Sequence, residues 1–100
     1  MTDNSYHIEW RPMARDDLHK IVRYIGKDNP ARAKSFGKTL IDKTALLAQH
    51  PGLGRTGRPG LPEWLRELVV HSNYIVFYRV FTETRTVQIL RVKHAAQQVP

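Results

Sequence analysis

The dipeptide Asn29-Pro30 stands between two amphipathic stretches, and it limits what this chain can fold into more than any other feature. Upstream of it, Ala14, Leu18, Ile21, Val22 and Ile25 recur at i, i+4, i+7, i+8 and i+11, the apolar stripe of a helix. Pro12 opens that stretch, since a proline in the first helical turn gives up an N–H that has no intrahelical partner there. Gly26 is the expected stop. Downstream, Asn29 is expected to cap and Pro30 to begin a second helix. On it Ala33, Phe36, Gly37, Leu40, Ile41, Thr44, Leu47 and Ala48 share one face until His50-Pro51-Gly52 closes it. A connection this short forces the two helices back on each other as an antiparallel hairpin. Two apolar stripes joined in this way need a further layer to cover them.

The flanking segments supply that layer. Tyr6, Ile8 and Trp10 alternate with His7 and Glu9, the period of a half-buried strand. Residues 51–64 hold four glycines and three prolines, which suits a loop and no element interior. Beyond it, Leu65 to His71, Tyr74 to Phe81 and Thr86 to His94 read as strands, joined at Ser72-Asn73 and at Thr82-Glu83-Thr84-Arg85 into an antiparallel meander. The expected architecture is one α+β domain over residues 1–100, in the order β-α-α-β-β-β. A helical hairpin packs on an antiparallel sheet, and the N-terminal strand pairs with the C-terminal meander.

Charge and composition narrow the function. Sixteen basic against nine acidic residues give a net charge of +7, which favours polyanions or an acidic partner, although a basic surface is also compatible with mere solvation. No cysteine is present, so disulfides and thiol chemistry are excluded. The first five residues lack a leader pattern and no apolar run is long enough to span a bilayer, so the expectation is a soluble, cytoplasmic protein with no membrane partner. Motifs for metals, nucleotides and other cofactors are missing, and none is expected. The glycines at 52, 54, 57 and 60 neither follow a strand nor open a clear helix, unlike a phosphate-cradling loop.

What remains is a set of cationic and hydrogen-bonding groups in the second half: Arg55, Arg58, Arg66, His71, Tyr74, Tyr78, Arg79, Arg85, Arg91, Lys93 and His94. Strand alternation puts Val87, Ile89, Arg91 and Lys93 on one face of the last strand, and Ile75, Phe77 and Arg79 on one face of the strand before it. Two arginines emerging from such faces could clamp phosphate oxygens with their planar, permanently charged forks. With His94 or His71 to move protons, the set is of the kind that metal-free RNA cleavage requires. For Tyr74, Tyr78 and His94 a purely structural place in the core or at a strand end is equally open.

The strand at residues 6–10, the run Ala14-Arg-Asp-Asp-Leu18-His-Lys-Ile21-Val-Arg-Tyr24-Ile25, the Asn29-Pro30 helix start and His50-Pro-Gly-Leu-Gly-Arg55 together resemble the RelE/ParE superfamily of type II toxin–antitoxin toxins. So do Arg66-Glu67-Leu68-Val-Val-His71-Ser-Asn-Tyr74-Ile-Val-Phe-Tyr78-Arg79-Val80 and Ile89-Leu-Arg91-Val-Lys-His94-Ala-Ala-Gln97. The resemblance spans nearly the whole chain in order, and it implies a small toxin that arrests growth until a cognate antitoxin neutralises it. That antitoxin is expected as an amphipathic helix or an added strand. The superfamily divides into RelE-like toxins, which cut mRNA on the ribosome without a metal, and ParE-like toxins, which inhibit DNA gyrase. Arg66-Glu67-Leu68 and the strand from Asn73 to Val80 are similar to the ParE branch. Arg55, Arg79, Arg91 and His94 lie roughly where the nuclease branch places its cationic and proton-transfer groups, and of these Arg79, Arg91 and His94 would be catalytic only there. Arg55, Arg58, Arg66, His71 and Tyr78 are the candidate target-binding residues. The nuclease branch usually carries a denser set of Lys, Arg and Tyr around the concave face of the sheet, whereas this chain has no lysine between Lys43 and Lys93. The resemblance therefore favours gyrase over the ribosome and mRNA, and a basic RNA-binding module with no antitoxin is the remoter alternative.

Overall fold

The computed structural model describes residues 5–71 and 73–96. A short strand, β1 (His7–Trp10), leads into α1 (Pro12–Asp28) and α2 (Pro30–Ala45), followed by a 3₁₀ turn at Leu46–Ala48. Three strands complete the chain: β2 (Leu65–His71), β3 (Tyr74–Phe81) and β4 (Thr86–His94). Asn29 serves both helices, as expected. Its backbone N–H donates to the Ile25 carbonyl, and its side-chain oxygen accepts from the Arg32 N–H at 3.0 Å. Helix α1 passes the expected stop at Gly26, which faces Ala33 of α2, and ends at Asp28. Helix α2 gives way to the tighter turn after Thr44, whose buried hydroxyl donates back to the Leu40 and Ile41 carbonyls. Ile41, expected on the buried face, is exposed.

The strands form one sheet in the order β1-β4-β3-β2. Strands β2, β3 and β4 make the expected antiparallel meander, and β1 joins its β4 edge. The pairing of β1 with β4 is parallel, so the sheet is mixed where a wholly antiparallel one was expected. The helical hairpin explains this: it returns the chain to the level of the start of β1, where the Tyr6 N–H donates to the Ala48 carbonyl at 2.7 Å. The next strand therefore runs in the direction of β1, and two hairpin reversals later so does β4.

Both helices cover a single face of the sheet. Ala14, Phe36, Leu40, Leu47, Val70, Val76, Tyr78, Val87, Ile89 and Val92 form the buried core between the layers, with Leu18, Ile21, Val22 and Ile25 packed against it. Removing that apolar surface from water supplies most of the folding free energy, at about 25 cal/mol per Å².

Two irregularities interrupt the strand alternation. Tyr78 pairs with Ile89 and Phe77 with Arg91, so Leu90 is an extra residue in β4. Residues after it change face. Val92 and His94 join Val87 and Ile89 on the helix side, and Arg91 and Lys93 turn to the open side. The expectation that Val87, Ile89, Arg91 and Lys93 share a face is therefore corrected by one bulge. A second shift between Val69 and His71 turns both Val70 and His71 toward the helices.

Candidate target-binding face

The bulges sort the sequence-derived candidates onto opposite sides of the sheet. On the helix side, His71, Phe36, Tyr74 and His94 form a chain of edge-to-face ring contacts, with centroids 5.3, 4.9 and 5.1 Å apart. These rings line a cleft of about 220 Å³ that α1 and α2 close with Tyr24, Asn29 and Arg32. On the open side stand Arg79 and Arg91, in register with Gln88 and Phe77 respectively. The two expected imidazoles are thus brought together, and so are the two expected arginines, but the sheet lies between the pairs.

Arg91 is held by a residue that strand alternation could not reveal. Its Nε and Nη2 donate to the Asp17 carboxylate of α1 at 2.7 and 3.0 Å, and Asp17 also accepts the Val92 N–H at 3.0 Å. Strand β1 ends at Trp10, opposite Ile89, so Val92 has no strand neighbour on that side, and the carboxylate takes its place. Burial pushes the Asp17 carboxyl up, but the Arg91 and Val92 hydrogen bonds and the charges of Arg91 and Lys93 outweigh it and hold the group below its ordinary value.

The loop before β2 is fastened in the same manner. Glu67, only 8% exposed, accepts from Arg58 Nε and Nη2 at 2.6 and 2.8 Å and lies 3.6 Å from Arg55 Nε. Arg58 holds its carboxyl below the usual range against the opposing effect of burial, with Arg55 adding to the depression. The Arg55 N–H and C=O pair with the Glu67 backbone, extending the sheet by one residue at its β2 edge. Arg66 donates to the Gly54 carbonyl at 2.7 Å.

Tyr78, a candidate for target contact, has no exposed surface. Its hydroxyl accepts from the Gly54 N–H at 2.7 Å and donates to the Pro51 carbonyl at 2.8 Å, which makes it the inner fastener of the same loop. Burial raises its pKa, so the hydroxyl stays protonated and able to donate. Gly54 is required by this approach, because a Cβ there would lie 2.7 Å from the tyrosine ring and from the Glu67 carbonyl. Tyr78 is therefore corrected from a contact residue to a structural one.

Arg79 is arranged differently. Its guanidinium lies 4.4 Å from the centroid of the Trp64 ring and 4.5 Å from that of Phe81. Neither ring was among the expected site residues. The i, i+2 spacing of Arg79 and Phe81 carried a signal, since alternate strand residues share a face, but nothing near Trp64 points to Arg79. Asp17 and Glu67 were missed for the same reason, because their partnerships are set only by the packing of distant segments. Among the described residues no three histidine, aspartate or glutamate side chains converge to hold a metal ion, and no helix is long and apolar enough to cross a membrane.

Comparison with known proteins agrees with this architecture. The family described as the ParE toxin of the type II toxin–antitoxin system parDE matches residues 8–99. Toxin RelE3 of Caulobacter vibrioides is 30% identical over 91 residues, covering 91% of this chain and 96% of that protein. Among solved structures, the chromosomal ParDE system from P. aeruginosa superposes with a TM-score of 0.75 at 22% identity, over 91% of this chain and 97% of the other. A chain of the RelBE2 complex from Mycobacterium tuberculosis gives 0.63 at 27% identity, over 90% and 98%. The free E. coli toxin RelE, in a doubly substituted form, gives 0.66 at 17% identity, over 92% and 85%. With the sequence match running through the whole described fold, the chain belongs to the ParE toxin family of type II toxin–antitoxin systems.

Proposed function

We propose that this toxin arrests growth by binding DNA gyrase and that a cognate antitoxin restrains it. The observation that carries the gyrase reading is the separation of the two candidate pairs. His71 and His94 stand on the helix side of the sheet, Arg79 and Arg91 on the open side, and Arg91 is already bidentate with Asp17. RNA cleavage needs a proton-transfer group within about 3 Å of the reacting oxygens while cations stabilise the phosphorane beside it. His7, the only histidine of the open sheet face among the described residues, lies on the edge strand in register with Thr86, in the next row from Arg79. A face built in this way is suited to contact more than to acid–base chemistry.

The antitoxin reading draws support from the relatives solved as toxin–antitoxin complexes, among them RelBE2 and E. coli RelBE. Past the bridge to Arg55, the outer rim of β2 carries an exposed Val69, where an added strand could pair. The basic surface suits an acidic or mixed-charge partner, with association that weakens as salt rises.

The 30% identical relative bears a RelE name, so ribosome-dependent mRNA cleavage is tested beside gyrase inhibition. One preparation of toxin is assayed for inhibition of gyrase supercoiling and for cleavage of mRNA on programmed ribosomes. Supercoiling inhibition without cleavage is expected. Cleavage with gyrase unaffected overturns the reading in favour of a metal-free endoribonuclease.

A further inference from the structure

The arginines of the open face fall into two kinds. Arg91 and Arg58 direct two donors each at a buried or half-buried carboxylate, and Arg55 shares Glu67. Arg79 has no ion pair and no side-chain hydrogen bond among the described residues. Rings cover its guanidinium instead, Trp64 at 4.4 Å and Phe81 at 4.5 Å. Contacts of this kind use the positive charge of the guanidinium and none of its N–H donors, which are left for another molecule. The clamp also limits side-chain rotation before any partner arrives, so less entropy is lost on binding.

We propose that the Trp64–Arg79–Phe81 clamp is the anchor for the toxin's protein target, and that its donor edge takes an aspartate or glutamate carboxylate of that target. The proposal rests on the reading of this toxin as one that acts by binding a protein. A carboxylate is favoured over a nucleic-acid phosphate by the charges around the clamp. Backbone phosphates are bound by several unneutralised cations tracking a groove. Here Asp17 pairs with Arg91 and has Lys93 nearby, Glu67 is shared by Arg58 and the exposed Arg55, and Glu9 lies in the same strand row as Arg79 by way of Gln88, so the cations are interspersed with carboxylates and form no continuous track. A single unpaired arginine beside a tryptophan that is 46% exposed has instead the make-up of a protein–protein hot spot.

The test compares wild-type toxin with Arg79→Gln and Arg79→Lys in binding to purified gyrase, in binding to the antitoxin, in thermal melting and in growth arrest. Lysine keeps the charge but lacks the planar fork and its in-plane donors. Both variants are expected to bind gyrase at least about tenfold more weakly, with antitoxin affinity and melting close to wild type. Full activity of Arg79→Lys overturns the proposal, because net charge alone would then suffice. Full activity of Arg79→Gln, or a parallel loss of antitoxin binding, overturns it as well. Wild-type toxin that does not bind gyrase refutes the gyrase reading by itself, and growth arrest then decides the clamp. Arrest lost in both variants, without mRNA cleavage by the wild type, supports the clamp on another protein target. Arrest retained, or cleavage by the wild type that the variants lose, overturns it.

Discussion

On the helix-facing side of the sheet, Tyr78, Ile89 and Val92 have almost no exposed surface, and the polar hydroxyl among them has both of its partners inside the protein. On the open side of the same strands, Arg79, Arg91 and Lys93 are all partly exposed, and only some of the charge is matched from within. The first side is determined by packing, where each atom needs a neighbour. The second is determined by which cations find a carboxylate, and Arg79 is the one that finds rings. One backbone thus carries a helix-side core and an opposite face on which buried Phe77, Ile75 and Glu67 lie beside partly exposed cations, and only those cations that no carboxylate holds can change with little effect on the fold.

The largest effect that this contrast predicts is in the core. Leu40, fully buried between α2 and the sheet, should cost about 2–5 kcal/mol when changed to alanine, read from denaturant unfolding. A change near zero would show that the helix layer is not packed as described. Next comes Tyr78→Phe, which leaves the Gly54 N–H and the Pro51 carbonyl without the hydroxyl they share. It should cost about 1–3 kcal/mol, and exchange at the Gly54 amide should speed up selectively.

Acid stability sharpens the contrast within the open face. The Asp17 and Glu67 carboxyls titrate below their ordinary 3.8 and 4.5, so the folded protein binds these protons more weakly than the unfolded chain does. The stabilisation they provide is complete above those ordinary values and is lost as pH falls through the depressed ones. Asp17→Asn and Glu67→Gln should therefore lower stability at neutral pH and flatten its decline in acid, measured by melting from pH 7 to pH 2. Arg79→Gln should leave the shape of that curve unchanged, since Arg79 has no carboxylate partner among the described residues. Its effect on stability is the smallest, under about 1 kcal/mol for each lost ring contact.

Much of the fold was legible in the sequence because it is written locally. Asn29-Pro30 marks the helix junction, the stripe from Ala14 to Ile25 gives the buried face of α1, and the glycine- and proline-rich loop before Leu65 with the polar turns at 72–73 and 82–85 bounds the C-terminal strands. The parallel entry of β1 was not legible, because it follows from where the hairpin returns the chain and not from any residue of β1. The site was less accessible still. Strand alternation fails at Leu90, where one extra residue exchanges the faces of Arg91 and Val92, and no composition signal announces a bulge. The roles of Asp17 and Glu67 depend on contacts across 74 and 9 residues of chain. Arg79 was identified as a cation, yet its distinction from Arg91 lies wholly in what surrounds each.

The proposal that the open face acts and the histidine cluster does not is put to the test by inhibition of gyrase supercoiling by a His71→Gln/His94→Gln double variant, compared with Arg79→Gln and wild type. On that proposal the double variant inhibits within about twofold of wild type and Arg79→Gln is weakened at least about tenfold, all three folded by thermal melting. Loss of inhibition in the histidine double variant with inhibition intact in Arg79→Gln would contradict it.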